Sequence, residues 1–99
     1  MNWQETLNQL EKGTVRAANK NQQGDWSVNL DAKKAILAAF KAGENTELTG
    51  NYQGFVDKNN LPAREFSLDD NVRLVPGGSS VRRGAHVASG VIIMPPAYI

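Results

Sequence analysis

Apolar residues recur at helical spacing near the start of the chain. Trp3, Leu7 and Leu10 follow one another at intervals of four and three residues, which places them on one face of a helix. The pattern predicts a short amphipathic helix, and Gly13 is placed to end it. Farther on, Trp26 and Val28 alternate with polar neighbours, as in a strand at the edge of a sheet.

A second helix is predicted over residues 32–41, which are rich in helix-forming side chains. Asn29 or Asp31 could cap its start, and Gly43 is the expected stop. Its apolar face is expected to comprise Leu30, Ile36, Leu37 and Phe40, with Lys33 and Lys34 on the solvated side.

The segments around this helix carry weaker signals. Residues 15–18 suggest a short extended piece, and residues 19–25 suggest a polar turn that contains Gly24. Residues 44–71 mix scattered apolar side chains with turn formers. We expect short irregular elements there, held against the protein by their aromatic side chains. Acidic residues disappear after Val72, so a domain boundary is predicted near residue 71.

A period of six begins at Val75. An aliphatic residue opens each successive six-residue unit, here called a hexad: Val75, Val81, Val87, Ile93 and Ile99. A small or β-branched residue follows four positions after each of the first four: Ser79, Ala85, Val91 and Ala97. One ordinary strand over residues 87–93 would be an alternative for that stretch, but it would not explain five aliphatic residues at constant spacing.

This repeat is typical of a left-handed parallel β-helix, in which each hexad forms one side and one corner of a triangular coil. Three hexads complete a coil, so Val75 should lie below Ile93 and Val81 below Ile99. The sequence thus predicts an α/β N-terminal domain over residues 1–71, then the first, incomplete coil of the β-helix over residues 72–99. A repeat array needs about three or more units to bury a core, so we expect the chain to be a fragment or one piece of a larger assembly.

Composition narrows the class of protein. The 99 residues carry a net charge of +1 with 21% charged residues, which argues against a nucleic-acid or membrane partner. Cysteine is absent, which excludes disulfides and thiolate metal sites. The N-terminus lacks the pattern of a signal peptide. We therefore expect a soluble, cytoplasmic protein with no bound metal.

Several short motifs resemble those of the tetrahydrodipicolinate N-succinyltransferases. The strongest are an Arg-aliphatic-Val-Pro run at residues 73–76, Val-Arg-x-Gly-Ala at 81–85 and an aliphatic-Met-Pro step at 93–95. Upstream, Gly24-Asp25-Trp26 followed by Lys33-Lys34-Ala35 and Phe40 resembles a second family pattern, and Phe55-Val56-Asp57-Lys58 a third, weaker one. Together the matches run in order from about residue 24 to residue 99.

The resemblance implies a homotrimeric enzyme that transfers succinyl from succinyl-CoA to the amino group of ring-opened tetrahydrodipicolinate, in the diaminopimelate route to lysine. It implies substrate binding by Arg73, whose guanidinium can grip a carboxylate of the dicarboxylate acceptor. Spacing alone would leave Arg73 a surface residue at a domain junction. No catalytic, cofactor-binding or metal-binding residue is assigned to this chain, which is expected to be inactive alone. Another acceptor, or a non-catalytic β-helix assembly module, remains an alternative.

Other conspicuous residues receive structural interpretations. His86, at a corner of the second hexad, is not expected to act as a catalytic base. Arg82 and Arg83 are expected on solvated faces, with a subunit contact as one possibility. Residues 77–80 lack the lysine and the helix of a phosphate-binding loop. The pair Asp69-Asp70 is expected to belong to a turn rather than to a metal site.

Overall fold

A computed structural model describes residues 2–99 of the chain. Helix α1 spans Trp3–Lys12, as the apolar spacing predicts. The side-chain oxygen of Asn2 accepts the backbone N–H of Glu5 at 2.8 Å, which satisfies one of the free amides at the helix start. Gly13 ends the helix in the left-handed conformation, with φ 80°. The predicted helix and its glycine stop are confirmed.

Helix α2 spans Leu30–Ala42, two residues earlier at its start than the helix-forming run suggested. Asn29, not Asp31, is the capping residue, since its side chain accepts the backbone N–H of Ala32 at 3.1 Å. Asp31 lies instead in the first turn, where a carboxylate is favoured by the helix dipole. Gly43 follows the last turn as predicted.

The apolar face predicted for α2 was partly wrong. Leu30 and Leu37 are 62% and 58% exposed, whereas Ala32 and Ala39 are almost completely buried. The two alanines lie seven residues apart on the side that contacts α1. Because alanine is small, it allows close approach of the two helices, and the bulkier leucines turn away from this contact. Ile36 and Phe40 do pack against the core, as expected.

A first hairpin lies between the helices. Strand β1 spans Ala18–Lys20 and pairs antiparallel with β2, which spans Trp26–Val28 as predicted. The extended segment was predicted over residues 15–18, but the strand begins at Ala18 and runs to Lys20. The polar turn is correspondingly shorter than predicted and spans residues 21–25. Asn21 closes that turn, because its side-chain oxygen accepts the N–H groups of Gln23 and Asp25, each at 2.9 Å.

A second hairpin escaped sequence analysis. Strand β3, Asn45–Glu47, pairs antiparallel with β4, Val56–Lys58. Single 3₁₀ turns span Gly50–Tyr52 and Leu68–Asp70. The strands are three residues long and mostly polar, so they carry no alternation that could identify them.

The expectation that aromatic side chains anchor residues 44–71 was wrong for two of the three. Phe55 and Tyr52 are exposed, Phe66 is half-buried, and Leu61 is the residue that enters the core, with 3% of its surface accessible. Leu61 packs where α1 and α2 meet, because a branched aliphatic side chain fills the space that the small alanines leave. The core cluster consists of Leu7, Leu10, Ala32, Ala39 and Leu61, with Trp3, Val15, Ile36 and Phe40 packed around it.

Two pairs of segments in the last quarter of the chain run parallel to each other. Strand β5, Arg73–Leu74, pairs with β6, Ile92–Ile93. A second parallel contact joins Ser80 to Tyr98, eighteen residues later. The backbone of Ser80 donates to Ala97 and accepts from Ile99, each at 3.0 Å. Parallel pairing after three hexads is the spacing that the repeat predicts.

Two of the five inward positions of the hexads are buried. Val81 is fully buried and Ile93 is 7% exposed, and Val75 and Val87 are half-buried, whereas Ile99 is 45% exposed. On the side of the coil that the first hexad was predicted to form, the register differs from the prediction, because Leu74 and not Val75 is the Cα partner of Ile93. The N–H of Val75 still reaches the carbonyl of Ile93, at 3.1 Å. The complete coil and its left hand stay predictions.

Neither helix among residues 2–99 is both long and apolar enough to cross a lipid bilayer.

Candidate substrate-binding arginine and the contacts around it

Arg73 is an exposed residue at the start of β5. Its backbone N–H donates to the carbonyl of Val91 at 3.0 Å, so the main chain is fixed by the parallel pair. Within residues 2–99, no hydrogen bond or ion pair engages its guanidinium. An exposed guanidinium without a protein partner can donate hydrogen bonds to both oxygens of a carboxylate. The structure thus leaves Arg73 available for an anionic ligand.

Asn71 shapes the backbone just before Arg73, and sequence analysis did not single it out. Its side-chain Nδ2 donates to Oγ of Ser89 at 2.8 Å, and its carbonyl accepts the N–H of Gly90 at 2.7 Å. Its φ is 52°, in the left-handed region that asparagine tolerates better than most residues. Asparagine directly after Asp69-Asp70 was the available signal, because asparagine is common at such turn ends.

Arg82 does not lie on a solvated face, so that prediction was wrong. It is half-buried and forms an ion pair with the carboxylate of Asp57 in β4. Its guanidinium also lies 5.2 Å from the ring centre of Phe40 and 5.9 Å from that of Tyr98. One side chain therefore contacts α2, β4 and the fourth hexad, an arrangement in which charge pairing and aromatic contact reinforce each other.

This environment lowers the pKa of the Asp57 carboxyl below its ordinary value. The largest cause is a hydrogen bond from the backbone of Lys58, which stabilises the charged form. Partial burial acts in the opposite direction. The hydrogen bond and the positive charge of Arg82 lower the pKa further. Asp57 is thus held as an anion and serves as a fixed partner for Arg82.

Arg83 was also expected on a solvated face, and this too was wrong. Its Nη1 donates to the carbonyl of Asn60 at 3.2 Å, and its backbone N–H donates to that of Pro62 at 2.9 Å. Its guanidinium lies 5.5 Å from the ring centre of Trp3. The adjacent arginines of the second hexad therefore both bind residues that precede the repeat.

Glu11 and Arg64 form a third link to the second hexad. Oε1 of Glu11 lies 3.1 Å from Nε of Arg64, while Oε2 accepts the N–H of Gly84 at 2.9 Å. Arg64 in turn donates from Nη1 to the carbonyl of Ala85 at 2.6 Å. Neither residue was predicted from the sequence, because the residues next to Glu11 give no sign of a partner more than fifty positions away.

His86 also contacts Glu11, and it adds to the contacts between the second hexad and the end of α1. Its Nδ1 lies 2.6 Å from the backbone carbonyl of Glu11. A carbonyl can only accept, so Nδ1 carries the hydrogen in this contact. The geometry gives His86 an anchoring contact at the end of α1, and that it is not a catalytic base stays a prediction.

The remaining motifs have structural partners. Asp70 accepts the N–H of Ser67 at 2.8 Å and so belongs to the 3₁₀ turn, as expected. Ser79 accepts the N–H of Ala97 at 2.9 Å, so its hydroxyl joins two hexads rather than lining a phosphate loop. In residues 2–99, no three histidine, aspartate or glutamate side chains cluster closely enough to hold a metal ion.

Two open clefts flank the helices, and Arg73 lines neither. One, of about 620 Å³, lies between α1 and α2, with Trp3, Asp31 and Lys34 at its margin. The other, of about 390 Å³, lies between Leu10, Ile36 and His86. Arg73 is an exposed surface residue outside both clefts.

Comparison with known proteins agrees with the motifs. Residues 3–42 match the family described as Tetrahydrodipicolinate N-succinyltransferase N-terminal. Three bacterial proteins named 2,3,4,5-tetrahydropyridine-2,6-dicarboxylate N-succinyltransferase align with 92% of the chain. They are 36% identical in Histophilus somni, 39% in Nitrosococcus oceani and 37% in Neisseria meningitidis. The chain is therefore similar to a stretch that makes up about a third of each of those succinyltransferases. The resemblance inferred from the motifs is confirmed.

The succinyltransferase family model covers α1, the first hairpin and α2, and it includes the Gly24-Asp25-Trp26 and Lys33-Lys34-Ala35 motifs. Arg73 lies beyond that match but inside the longer alignments, because any continuous stretch covering 92% of 99 residues includes it. The chain spans about a third of the length of the curated succinyltransferases it matches, 34% in each of the three.

Proposed function

We propose that this chain is the N-terminal part of an enzyme that transfers succinyl from succinyl-CoA to the amino group of ring-opened tetrahydrodipicolinate, in diaminopimelate and lysine biosynthesis. The observation that carries the proposal is 36–39% identity over 92% of the chain to proteins named for this transfer. The proposal places the enzyme in the cytoplasm, where its co-substrate is an intracellular metabolite.

The fold assigned to the complete enzyme has two parts here. Residues 1–71 form an α/β domain, and residues 72–99 begin a left-handed parallel β-helix. Parallel contact between Ser80 and Tyr98 supports a coil of three hexads. Burial of Val81 and Ile93 supports an apolar interior. Later coils would continue this interior, and the β-helices of three subunits would pack together as a homotrimer.

Arg73 is proposed to bind a carboxylate of the acceptor. The acceptor is a dicarboxylate by name in the relatives, and removing its charges from water requires cationic partners. Arginine suits this task because its planar guanidinium donates two parallel hydrogen bonds to one carboxylate. The exposed position and free guanidinium of Arg73 support the assignment.

The transfer itself needs groups that we assign to later coils. The acceptor amine attacks the thioester carbonyl, a C–N bond forms, and the C–S bond breaks to release coenzyme A. The amine loses a proton to a general base, which must lie within hydrogen-bond reach, and the departing sulfur gains one. We assign the catalytic carboxylates and the coenzyme A groove to sequence beyond residue 99 and to contacts between subunits. The 99-residue chain alone is therefore proposed to be inactive.

The test joins residues 1–99 to the remaining sequence of the Nitrosococcus oceani relative; we call this protein the completed chain. Release of coenzyme A thiol is measured with succinyl-CoA and tetrahydrodipicolinate, with the relative itself as positive control and the 99-residue chain as negative control. Turnover by the completed chain is expected. A folded trimer that binds succinyl-CoA but transfers nothing to this acceptor would refute the proposal, and transfer to a different amine would favour the alternative acceptor.

The role of Arg73 is tested in the same protein. Loss of a hydrogen-bonded charge contact costs about 1.5–3 kcal/mol, so Arg73→Ala should raise the acceptor KM by roughly tenfold to a hundredfold. The KM for succinyl-CoA should not change. Arg16→Ala, which removes an exposed arginine elsewhere, is the matched control. An unchanged acceptor KM in Arg73→Ala would remove Arg73 from the site.

A further inference from the structure

The backbone that leads into β5 adopts an unusual conformation. Asn71, with φ 52° and ψ 42°, is the one residue other than glycine in residues 2–99 that has a positive φ. Such a conformation disfavours most side chains and persists where surrounding contacts require it. At Asn71 it turns the chain from the 3₁₀ turn Leu68–Asp70 into the strand that begins with Arg73.

Three hydrogen bonds hold Asn71 in place. Its N–H donates to the carbonyl of Leu68 at 3.2 Å. Its carbonyl accepts from Gly90 at 2.7 Å, and its side-chain Nδ2 donates to Oγ of Ser89 at 2.8 Å. The second and third bonds connect it to the third hexad immediately before the contact of Arg73 with Val91. Asn71 and Arg73 are therefore attached to consecutive parts of the same segment.

Arg73 has little else to orient it. Strand β5 is two residues long and, among residues 2–99, pairs with β6 alone. Its side chain is exposed, so packing does not restrict its rotamers. The position and direction of its Cα–Cβ bond, from which the guanidinium extends, are then set by the backbone at residues 71–73. Precise placement of a charged group matters for binding, because a small misplacement weakens a bidentate contact strongly.

We propose that Asn71 and Ser89 are positioning residues for Arg73: their side-chain hydrogen bond sets the course of the strand that presents the guanidinium to the acceptor carboxylate. This inference rests on the proposed function, since it acts through Arg73. Neither residue touches the acceptor. They affect the acceptor KM only through the position of the Arg73 guanidinium.

The test measures steady-state kinetics of the completed chain with three substitutions. Ser89→Ala removes the acceptor of the hydrogen bond. Asn71→Gly removes its donor but retains access to the left-handed conformation. Asn71→Ala removes the donor and strains the backbone as well. The first two should raise the acceptor KM roughly threefold to tenfold, the range of one hydrogen bond, with kcat and the succinyl-CoA KM unchanged. Asn71→Ala should raise it further.

If Ser89 acts through Arg73, its substitution should have no effect once Arg73 is absent. In an Arg73→Ala background, Ser89→Ala should leave the acceptor KM unchanged, because the group that it positions is gone. Ser27→Ala, at an exposed serine on β2, is the matched control and should have no effect in either background.

The possible results separate this inference from the proposed function. If Arg73→Ala raises the acceptor KM and Ser89→Ala does not, the positioning role is refuted and the proposed function stands. A fall in kcat with unchanged KM would show a purely structural role and also refutes the inference. If Arg73→Ala itself has no effect on the acceptor KM, the assignment of Arg73 and the positioning role fail together.

Discussion

Arg82 and Asp57 form an ion pair across twenty-five residues of sequence, between the second hexad and β4. Arg83 and Gly84 add further links from the same hexad, Arg83 to the carbonyl of Asn60 and the N–H of Gly84 to the carboxylate of Glu11. The second hexad therefore contacts both helices and the second hairpin. Its Val81 faces inward while its polar side chains bind outward, so one short segment serves both halves of the molecule.

The Arg82–Asp57 pair should contribute measurably to stability. Both side chains are partly solvated, so a coupling energy of about 0.5–1 kcal/mol is expected. We predict this value from a double-mutant cycle of Arg82→Ala and Asp57→Ala, using free energies of unfolding in urea. Arg82→Ala alone should cost more than Asp57→Ala, because it also removes the contact with Phe40. Additive single effects would show that the pair is energetically silent.

The same pair predicts an acid-dependent loss of stability. The folded state lowers the pKa of Asp57, so its stabilisation is complete above the unfolded carboxyl pKa of about 3.9 and is lost as pH falls through the lower folded value. Asp57→Asn should therefore be less stable than the native chain at pH 7, and the difference should shrink as pH falls below about 3.9. Urea unfolding at several pH values provides the measurement. A difference that persists undiminished in acid would contradict a charge-based contribution.

Local signals explain what the sequence predicted well. The spacing of Leu7 and Leu10, the Asn29 cap and the Gly13 stop all act within one or two helical turns, so both helices were identified. The face of α2 was not, because Leu30 and Leu37 have the same spacing as Ala32 and Ala39. Hydrophobicity favours the leucines, whereas close helix packing favours the alanines.

Long-range contacts explain what the sequence could not predict. The period of six anticipated parallel contact after three hexads, since a repeat encodes its own neighbours. Nothing comparable marks Glu11 as the partner of Arg64, or Asp57 as the partner of Arg82. Charged side chains are usually solvated, so Arg82 and Arg83 were assigned to the surface. Their burial depends on which elements fold back over them, and that information is distributed over the whole chain.

Glu11 should stabilise the contact between the end of α1 and the second hexad. Glu11→Ala removes the ion pair with Arg64 and leaves the N–H of Gly84 without its acceptor, so a loss of about 1–3 kcal/mol is expected. Glu11→Gln retains an oxygen for Gly84 and should cost less. Glu65→Gln, at an exposed glutamate, is the control and should change the free energy of unfolding by less than about 0.5 kcal/mol. Equal effects of Glu11→Gln and Glu65→Gln would contradict a structural role for the ion pair.

Gly43 and Asn60 pack against each other at the end of α2. Asn60 donates from Nδ2 to the carbonyl of Ala39 at 2.8 Å, while its buried Oδ1 has no hydrogen-bond partner in the described chain. A Cβ atom on Gly43 would overlap this Oδ1 and lie 2.7 Å from Cγ. Gly43 has φ −87°, which any residue can adopt, so the requirement for glycine there is one of space and not of conformation.

This contact predicts that two destabilising substitutions partly cancel. Gly43→Ala should cost about 1–3 kcal/mol through overpacking, and Asn60→Ala about 0.5–1.5 kcal/mol through the lost hydrogen bond to Ala39. In the double variant the overlap is gone, so the total loss should fall short of the sum by about 1 kcal/mol or more. Urea unfolding of the four proteins measures the difference. Strict additivity would mean that Asn60 moves aside freely, and it would refute the steric explanation for Gly43.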